Sequence, residues 1–298
     1  MLQRLCNIRV LTQRVLGRQF SSAGGIVASN DNDDVLLSRS NDGMFATVTL
    51  NRPKLHNAFS DAVCDRLLDI VAELRADAAS DGGNLRGLFF RANGKSFCAG
   101  ADLEYMKRAA TYSYEQNLAD AKRVSELFHG LSTLPLPVVA LVQGGAFGGG
   151  IGIISCCDVA IAVENTAFAL SEVKLGLLPA TISPFVVARI GQSAARRYFL
   201  TAETFNAVEA QRIGLVHEIV SDRDGLDEWE ARLRKALRGS SPTAVAASKA
   251  LVEAVAYEDV TEALRHDTAV RLCEQRANSE ATEGVAAFLE KRKPVYSV

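Results

Sequence analysis

The sequence predicts an α/β protein built on crossover connections. Three observations carry this. Strand-like apolar runs alternate with helix-period runs from Met44 to Val163. Several of those runs end at Gly or Pro, as strands do before a turn. From Ser193 onward the pattern turns helical. At 298 residues, 48% of them hydrophobic, the chain is long enough for a sizeable core.

The elements follow in order. "MFATVTLNRP" (Met44–Pro53) reads as a strand stopped by proline, with Val48 and Leu50 on one face. Ser60 then caps a helix whose apolar positions are Val63, Leu67, Val71 and Leu74. "LRGLFFR" (Leu85–Arg91) is a second, largely buried strand. "ANGKSFCAGADL" is a loop entering a helix near Leu103, and a polar helical stretch continues to about Leu131. "LPLPVVALVQG" is a third, proline-bounded strand. The glycine stretch "QGGAFGGGIGIISCCD" (Gln143–Asp158) follows, then an apolar helix over Ile151–Cys157, then the strand "DVAIAV". Ser241 and Pro242 mark the start of a late helix, "SPTAVAASKALVEAV". The break near Gly191 separates an α/β core, residues 33–192, from a helical region, residues 193–298, of the same domain.

The N-terminus is different in kind. "MLQRLCNIRVLTQRVLGRQFSSAGG" contains four arginines and no acid, and its apolar residues fall mostly on one helical arc. Residues 1–25 read as a mitochondrial transit peptide, which places the mature protein in the matrix. A net charge of −2 offers no broad attraction for nucleic acid or an anionic membrane. No apolar run reaches the ~20 residues of a membrane span. The cysteines at 6, 64, 98, 156, 157 and 273 form no CxxC pair, and the scattered histidines show no ligand spacing, so no metal is expected. Reduced, buried thiols are the simplest reading of the cysteines.

Three loops can carry chemistry. The glycine stretch lacks the lysine and hydroxyl of a phosphate loop and does not fit GxGxxG. It offers a strand end, three glycines and a helix start, where backbone N–H groups can meet an anionic oxygen. Close helix-to-sheet packing is the alternative. "SFCAGAD" (Ser96–Asp102) has the same design, and two such loops can each donate one N–H to a single oxygen. "FALSEVKLGLLPA" sets Glu172 among apolar residues, where a raised pKa suits proton transfer; a salt bridge to Lys174 is the alternative.

The segments "NRPKLHNAFS", "GKSFCAGADL", "VQGGAFGGGIGIISCCD", "SEVKLGLLPA", "IGLVHEIV" and "FLEKRKPVY" resemble, in order and spacing, the crotonase (enoyl-CoA hydratase/isomerase) family. The resemblance runs from about Val35 to the C-terminus. "AFGGGIG" and "SEVKLGLLPATISPFVVARIG" look like the bacterial-type 3-methylglutaconyl-CoA hydratases.

The resemblance implies a spiral of ββα units with a helical C-terminal trimerisation region, as a homotrimer or a dimer of trimers. It implies an acyl-CoA substrate and no cofactor, since coenzyme A arrives as part of the substrate. The N–H groups of Ala101 and Gly149 would form an oxyanion hole, with Glu172 the catalytic carboxylate. Ala99, Gly100, Asp102, Leu103 and Gly148 would line the thioester end. Lys54, Leu55 and His56 would lie near the nucleotide, and Lys291 near its phosphates.

One departure stands out. Typical hydratases of the family carry a second glutamate where this chain has Gly152. Glu172 acting alone, a replacement from the Tyr105–Glu126 segment (Tyr112, Tyr114 or Glu115), or a Δ3,Δ2-enoyl-CoA isomerase are the three ways out. The bacterial-type hydratases it resembles share the glycine, which favours hydration of 3-methylglutaconyl-CoA. Lys174 and Arg189 are the candidate cations for that substrate's second carboxylate. A silent acyl-CoA-binding member, or an RNA-binding one using Lys107, Arg108, Lys122 and Arg123, is a reading of another class. Interleaved Glu104, Glu115, Asp120 and Glu126 weigh against RNA.

Overall fold

The structure is a computed structural model that describes residues 33–80 and 83–297. The leader at 1–25 lies outside the described residues. Two N-terminal strands, β1 (Val35–Arg39) and β2 (Phe45–Leu50), form an antiparallel hairpin. Ser60 accepts the Val63 N–H and starts α1 (Asp61–Ala79), which buries Val63, Leu67, Val71 and Leu74 as the spacing requires. Strand β3 (Gly87–Ala92) follows. The polar stretch after it is two helices, α2 (Leu103–Ala109) and α3 (Tyr114–Ser132), and not one. Ser113 and Gln116 form a capping box that restarts the helix, a signal easily overlooked within a continuous polar run.

Strands β4 (Val138–Val142) and β5 (Gly145–Phe147) then lead into α4 (Gly149–Cys156). Strands β6 (Val159–Val163) and β7 (Ala167–Ala169) lead into α5 (Ser183–Thr201), which kinks at Gly191, where φ is +73°. The chain continues through β8 (Phe205–Asn206), α6 (Ala207–Arg212), β9 (Glu218–Val220) and α7 (Arg223–Arg238). It finishes in α8 (Pro242–Val255), α9 (Glu262–Arg276) and α10 (Ser279–Leu289).

The strands make two sheets. The larger runs β1-β2-β3-β4-β6-β9 and is parallel from β2 onward; the smaller runs β5-β7-β8. Two isolated bridges, Phe59 to Ala101 and Cys98 to Ala146, extend the second layer toward the N-terminus. Each turn of the chain therefore visits the large sheet, then the second layer, then a helix. That is a ββα spiral, as the fold class predicts.

The large sheet is buried on both faces. Leu88 and Phe90 of β3 face a cluster shared with α1, α3, α4 and α5, while Phe89 faces a second cluster under α7. The alternation explains why "GLFF" reads as unbroken apolar sequence. One expectation is corrected here. The region after Ser193 is not purely helical: β9 joins the large sheet beside β6, and α7 covers the sheet's second face. Strands of two and three residues are too short to show a period of two.

Candidate active site

Backbone pairing brings the three loops together. Phe97 and Cys98 donate to Gly145 O, and Phe147 donates to Cys98 O at 2.8 Å, which fastens the "SFCAGAD" loop to β5. Gly148 donates to Ala169 O at 3.0 Å, which fastens the entry of α4 to β7. The chain past Ala169 thus runs beside the chain past Phe147. Glu172 arrives next to Gly148: a Cβ built on that glycine would lie 3.1 Å from Glu172 Oε1. Gly148 holds φ at +47°, which glycine adopts without penalty.

Two amides are left over. Phe59 N donates to Gly100 O, and Asp102 N donates to Phe59 O, so the bridge uses the residues either side of Ala101. The Ala101 N–H faces away from that bridge and has no partner among the described residues. Gly149 opens α4, and its N–H is likewise without a partner. The ring of Phe59 packs against Gly149, 3.4 Å from a Cβ built there. Of the two readings of the glycine stretch, close packing applies at Gly150, which fits closely against Cys98, while the Gly149 N–H stays open to a ligand.

Glu172 sits in a short 3-10 turn closed by Gly176 in the left-handed region. Its carboxylate makes no ion pair with Lys174, and Oε2 is buried without a hydrogen-bond partner. Burial pushes its carboxyl above the usual range. A partly desolvated carboxylate with one unpartnered oxygen, beside two unpaired N–H donors, is suited to moving a proton while the donors hold developing negative charge.

Gly152 lies one helical turn beyond Gly148, donating to its carbonyl at 3.1 Å. No side chain has room there. A Cβ would stand inside contact distance of Ile182 Cγ2 and 2.8 Å from Phe128 Cε1. Both neighbours are apolar and buried. The α2–α3 residues considered for the missing acid make no hydrogen bond to Glu172, Tyr112 (partly buried) included. Tyr105 donates to Asp120, Glu115 accepts from Ser113 and is exposed, and Tyr114 is exposed; none of them hydrogen-bonds Glu172.

The remaining expected residues take these places. Ala99 is exposed, and its N–H donates to His56 O at 2.9 Å, so the Lys54–His56 turn is tied to the donor loop. Lys54 and Leu55 are exposed, and His56 Nδ1 lies 3.1 Å from Ser96 Oγ. Leu103 projects outward, 73% exposed, at the start of α2. Asp102 is used within the fold. It caps α2 through the Glu104 and Tyr105 N–H groups and pairs with Arg52 at 3.0 Å. Burial raises its pKa, but the Tyr105 N–H and Arg52 outweigh that and hold it below the ordinary value. Lys291 is exposed just past α10. Arg189 is not a substrate cation: it is partly buried and donates to Leu215 O and Cys157 O. Of the four cations weighed for RNA, Lys107, Arg108 and Arg123 are ion-paired to Glu104, Asp61 and Asp65.

Cys64, Cys98, Cys156 and Cys157 are buried thiols, as expected; Cys273 is exposed, and Cys6 lies outside the described residues. Among the described residues no group of three His, Cys, Asp or Glu side chains converges as a metal site, and no helix is long and apolar enough to cross a membrane.

Asn57 is the supporting residue that sequence reasoning passes over. It is 1% exposed, donates to Asn93 O and Ser96 O at 2.8 Å each, and accepts the Arg52 N–H. Its φ of +56° follows His56 at +49°, and asparagine tolerates that region. The dipeptide "HN" before an apolar run is the faint signal of this turn.

Comparison with known proteins gives a family. The family model described as enoyl-CoA hydratase/isomerase matches residues 40–298. The chain is 32% identical to the crotonyl-CoA hydratase of Syntrophomonas wolfei over 250 residues, covering 83% of this chain and 92% of that protein. It is 31% identical to the short-chain-enoyl-CoA hydratase of Clostridium acetobutylicum, covering 88% and 96%. An enoyl-CoA hydratase structure from Shewanella pealeana superposes with a TM-score of 0.83 at 38% identity, covering 88% and 96%.

Proposed function

Because the chain belongs to the enoyl-CoA hydratase/isomerase family, we propose that it adds water across the α,β double bond of 3-methylglutaconyl-CoA to give 3-hydroxy-3-methylglutaryl-CoA. The observation that carries the chemistry is the Glu172 carboxylate, in no ion pair and with Oε2 buried without a partner, beside two partnerless N–H groups. Enoyl-CoA hydration supports the reading at the level of the family and its relatives. The choice of acyl chain rests on the "AFGGGIG" and "SEVKLGLLPATISPFVVARIG" segments.

In this mechanism the thioester oxygen accepts hydrogen bonds from Ala101 N–H and Gly149 N–H. Glu172 takes a proton from water as the water oxygen bonds to C3. Electrons of the C2–C3 bond move to the thioester oxygen as an enolate. The two N–H donors and the α4 N-terminus stabilise that charge more than the neutral ground state, so they lower the barrier. Glu172 then returns the proton to C2 as the carbonyl re-forms. One water supplies both the hydroxyl and the hydrogen, and one carboxylate suffices. The raised pKa fits a group that must both accept and return a proton.

A second reading rests on Gly152. With Phe128 and Ile182 filling the second acid's place, a lone Glu172 can instead carry a proton between C4 and C2. That is Δ3,Δ2-enoyl-CoA isomerisation. Purified protein incubated with 3-methylglutaconyl-CoA, crotonyl-CoA and a 3-enoyl-CoA, each product followed separately, decides. Hydration of the first supports the proposal, and isomerisation without hydration overturns it. The arginine-rich leader supports import into the mitochondrial matrix; a full-length fluorescent fusion that stays in the cytosol would refute it.

A further inference from the structure

The proposed mechanism leaves one residue at the centre of the site without a task. Cys98 is fully buried and touches both donor loops. Its sulfur accepts the Gly100 N–H at 3.4 Å, on the peptide preceding Ala101. Its Cβ and carbonyl oxygen would lie 2.9 and 3.1 Å from a Cβ on Gly150, the residue following Gly149. Its backbone closes the bridge to Ala146, donating to Gly145 O and accepting from Phe147 N.

Gly100 needs that support. Its φ is +87°, and glycine there has the widest choice of alternative conformations. A hydrogen bond from its N–H to a sulfur two residues earlier selects one of them. The next peptide carries the Ala101 N–H, so the selection also sets where that donor points. On the other side, the Cys98 side chain seats Gly150 and with it the first turn of α4.

We propose that Cys98 is the positioning residue of the two-donor hole. Its sulfur and Cβ fix the Ala99–Gly100 peptide, and through it the Ala101 amide, relative to the Gly149–Gly150 turn, and so set the separation of the two N–H groups. This rests on the reading that those groups bind the thioester oxygen. Cys98 does not touch the substrate.

The test uses the full chain and crotonyl-CoA labelled with 13C at the thioester carbonyl. Wild type, Cys98→Ala and Cys98→Ser are compared for melting temperature, kcat, KM and the infrared C=O stretch of the bound probe. A working hole lowers that frequency by polarising the carbonyl. Cys98→Ala is expected to lose part of the lowering and about ten-fold in kcat with KM little changed, less than the hundred-fold or more that a whole lost donor costs. Cys98→Ser keeps an acceptor and is expected to recover both. Cys98→Val, near cysteine in volume and without a comparable acceptor, stands in if the alanine variant does not fold. A variant lacking the acceptor with a wild-type frequency, whatever its kcat, overturns the proposal while leaving the hole intact. A wild-type protein that binds the probe without lowering its frequency, or does not bind it, overturns the reading on which the proposal rests.

Discussion

Installing the second glutamate of typical hydratases by Gly152→Glu should not create a better hydratase. The magnitude can be worked in two steps. Gly152→Ala first adds only a Cβ, which would press on Ile182 Cγ2 and stand 2.8 and 3.0 Å from Phe128 Cε1 and Cζ. Overpacking of this kind costs about 1–3 kcal/mol. Alanine in place of glycine within a helix returns about 1 kcal/mol. The net expectation is a loss of about 0–2 kcal/mol. Extending the side chain to glutamate places a carboxyl group among Phe128, 2% exposed, and Ile182, 3% exposed. An unsatisfied polar group there adds roughly 1–3 kcal/mol even when protonated. Urea denaturation of the two variants should therefore rank wild type first, alanine next and glutamate last, with hydration by Gly152→Glu below wild type. If space is the cause, Phe128→Leu should offset part of the Gly152→Ala loss, a coupling that a double-mutant cycle resolves. A Gly152→Glu protein as stable as wild type and faster in hydration would refute the steric argument and the single-carboxylate mechanism together.

Glu172→Gln should lose about 10²–10⁴-fold in turnover while still binding acyl-CoA, read by isothermal titration; retained turnover would remove Glu172 from the mechanism. The same variant has a pH signature in stability. Burial raises the folded-state pKa of Glu172 above its unfolded value. Its favourable contribution is therefore present at pH below the unfolded value and lost as pH rises through the folded one. Glu172→Gln should melt higher than wild type at pH 8 and lose that advantage toward pH 4; an advantage that grows on acidification would reverse the assigned environment. Asn57→Ala removes three hydrogen bonds at a residue that is 1% exposed. It should cost about 2–4 kcal/mol in chemical denaturation, with kcat falling as the Ser96 loop loosens.

The parts of the fold that were legible are those whose local chemistry repeats. Ser60 with its heptad-like apolar positions, Ser241 with Pro242, and the unbroken apolar strands each state their element several times over. The second layer was not legible. Strands β5, β7 and β8 have three, three and two residues, and their pairing partners lie 22 to 39 positions away. The two donor loops could be matched by their shared strand-turn-helix design, but only pairing shows that Gly100 and Asp102, and not Ala101, are used by Phe59. Arg189 is the instructive failure. An arginine near a candidate carboxylate in sequence looks like a ligand, yet its guanidinium satisfies the carbonyls of Cys157 and Leu215 at the end of α4 and before β9. Backbone carbonyls leave no trace in sequence, so an arginine that serves them cannot be told from one that awaits a substrate.

The same fact gives the site its economy of side chains. In the proposed mechanism both groups that stabilise charge are amides, held by the Phe59 bridge and the β5–β7 pairing, and the proton-transferring group is Glu172. Amides do not titrate, so the hole keeps its strength at every pH at which the fold holds. Proton transfer then falls on one carboxylate whose environment is apolar on the side where a second acid would stand. Filling that side with Phe128 and Ile182 has a consequence for Glu172 itself: no second negative charge competes with it, and its pKa is raised by burial, which outweighs the hydrogen bond from its own backbone N–H. A two-glutamate site must hold one acid protonated beside another ionised one. A one-glutamate site escapes that condition, at the cost of using the same group for both halves of the transfer. On the single-carboxylate mechanism the two donor amides must hold the enolate until that one proton returns, so their separation should matter more than where two acids divide the work.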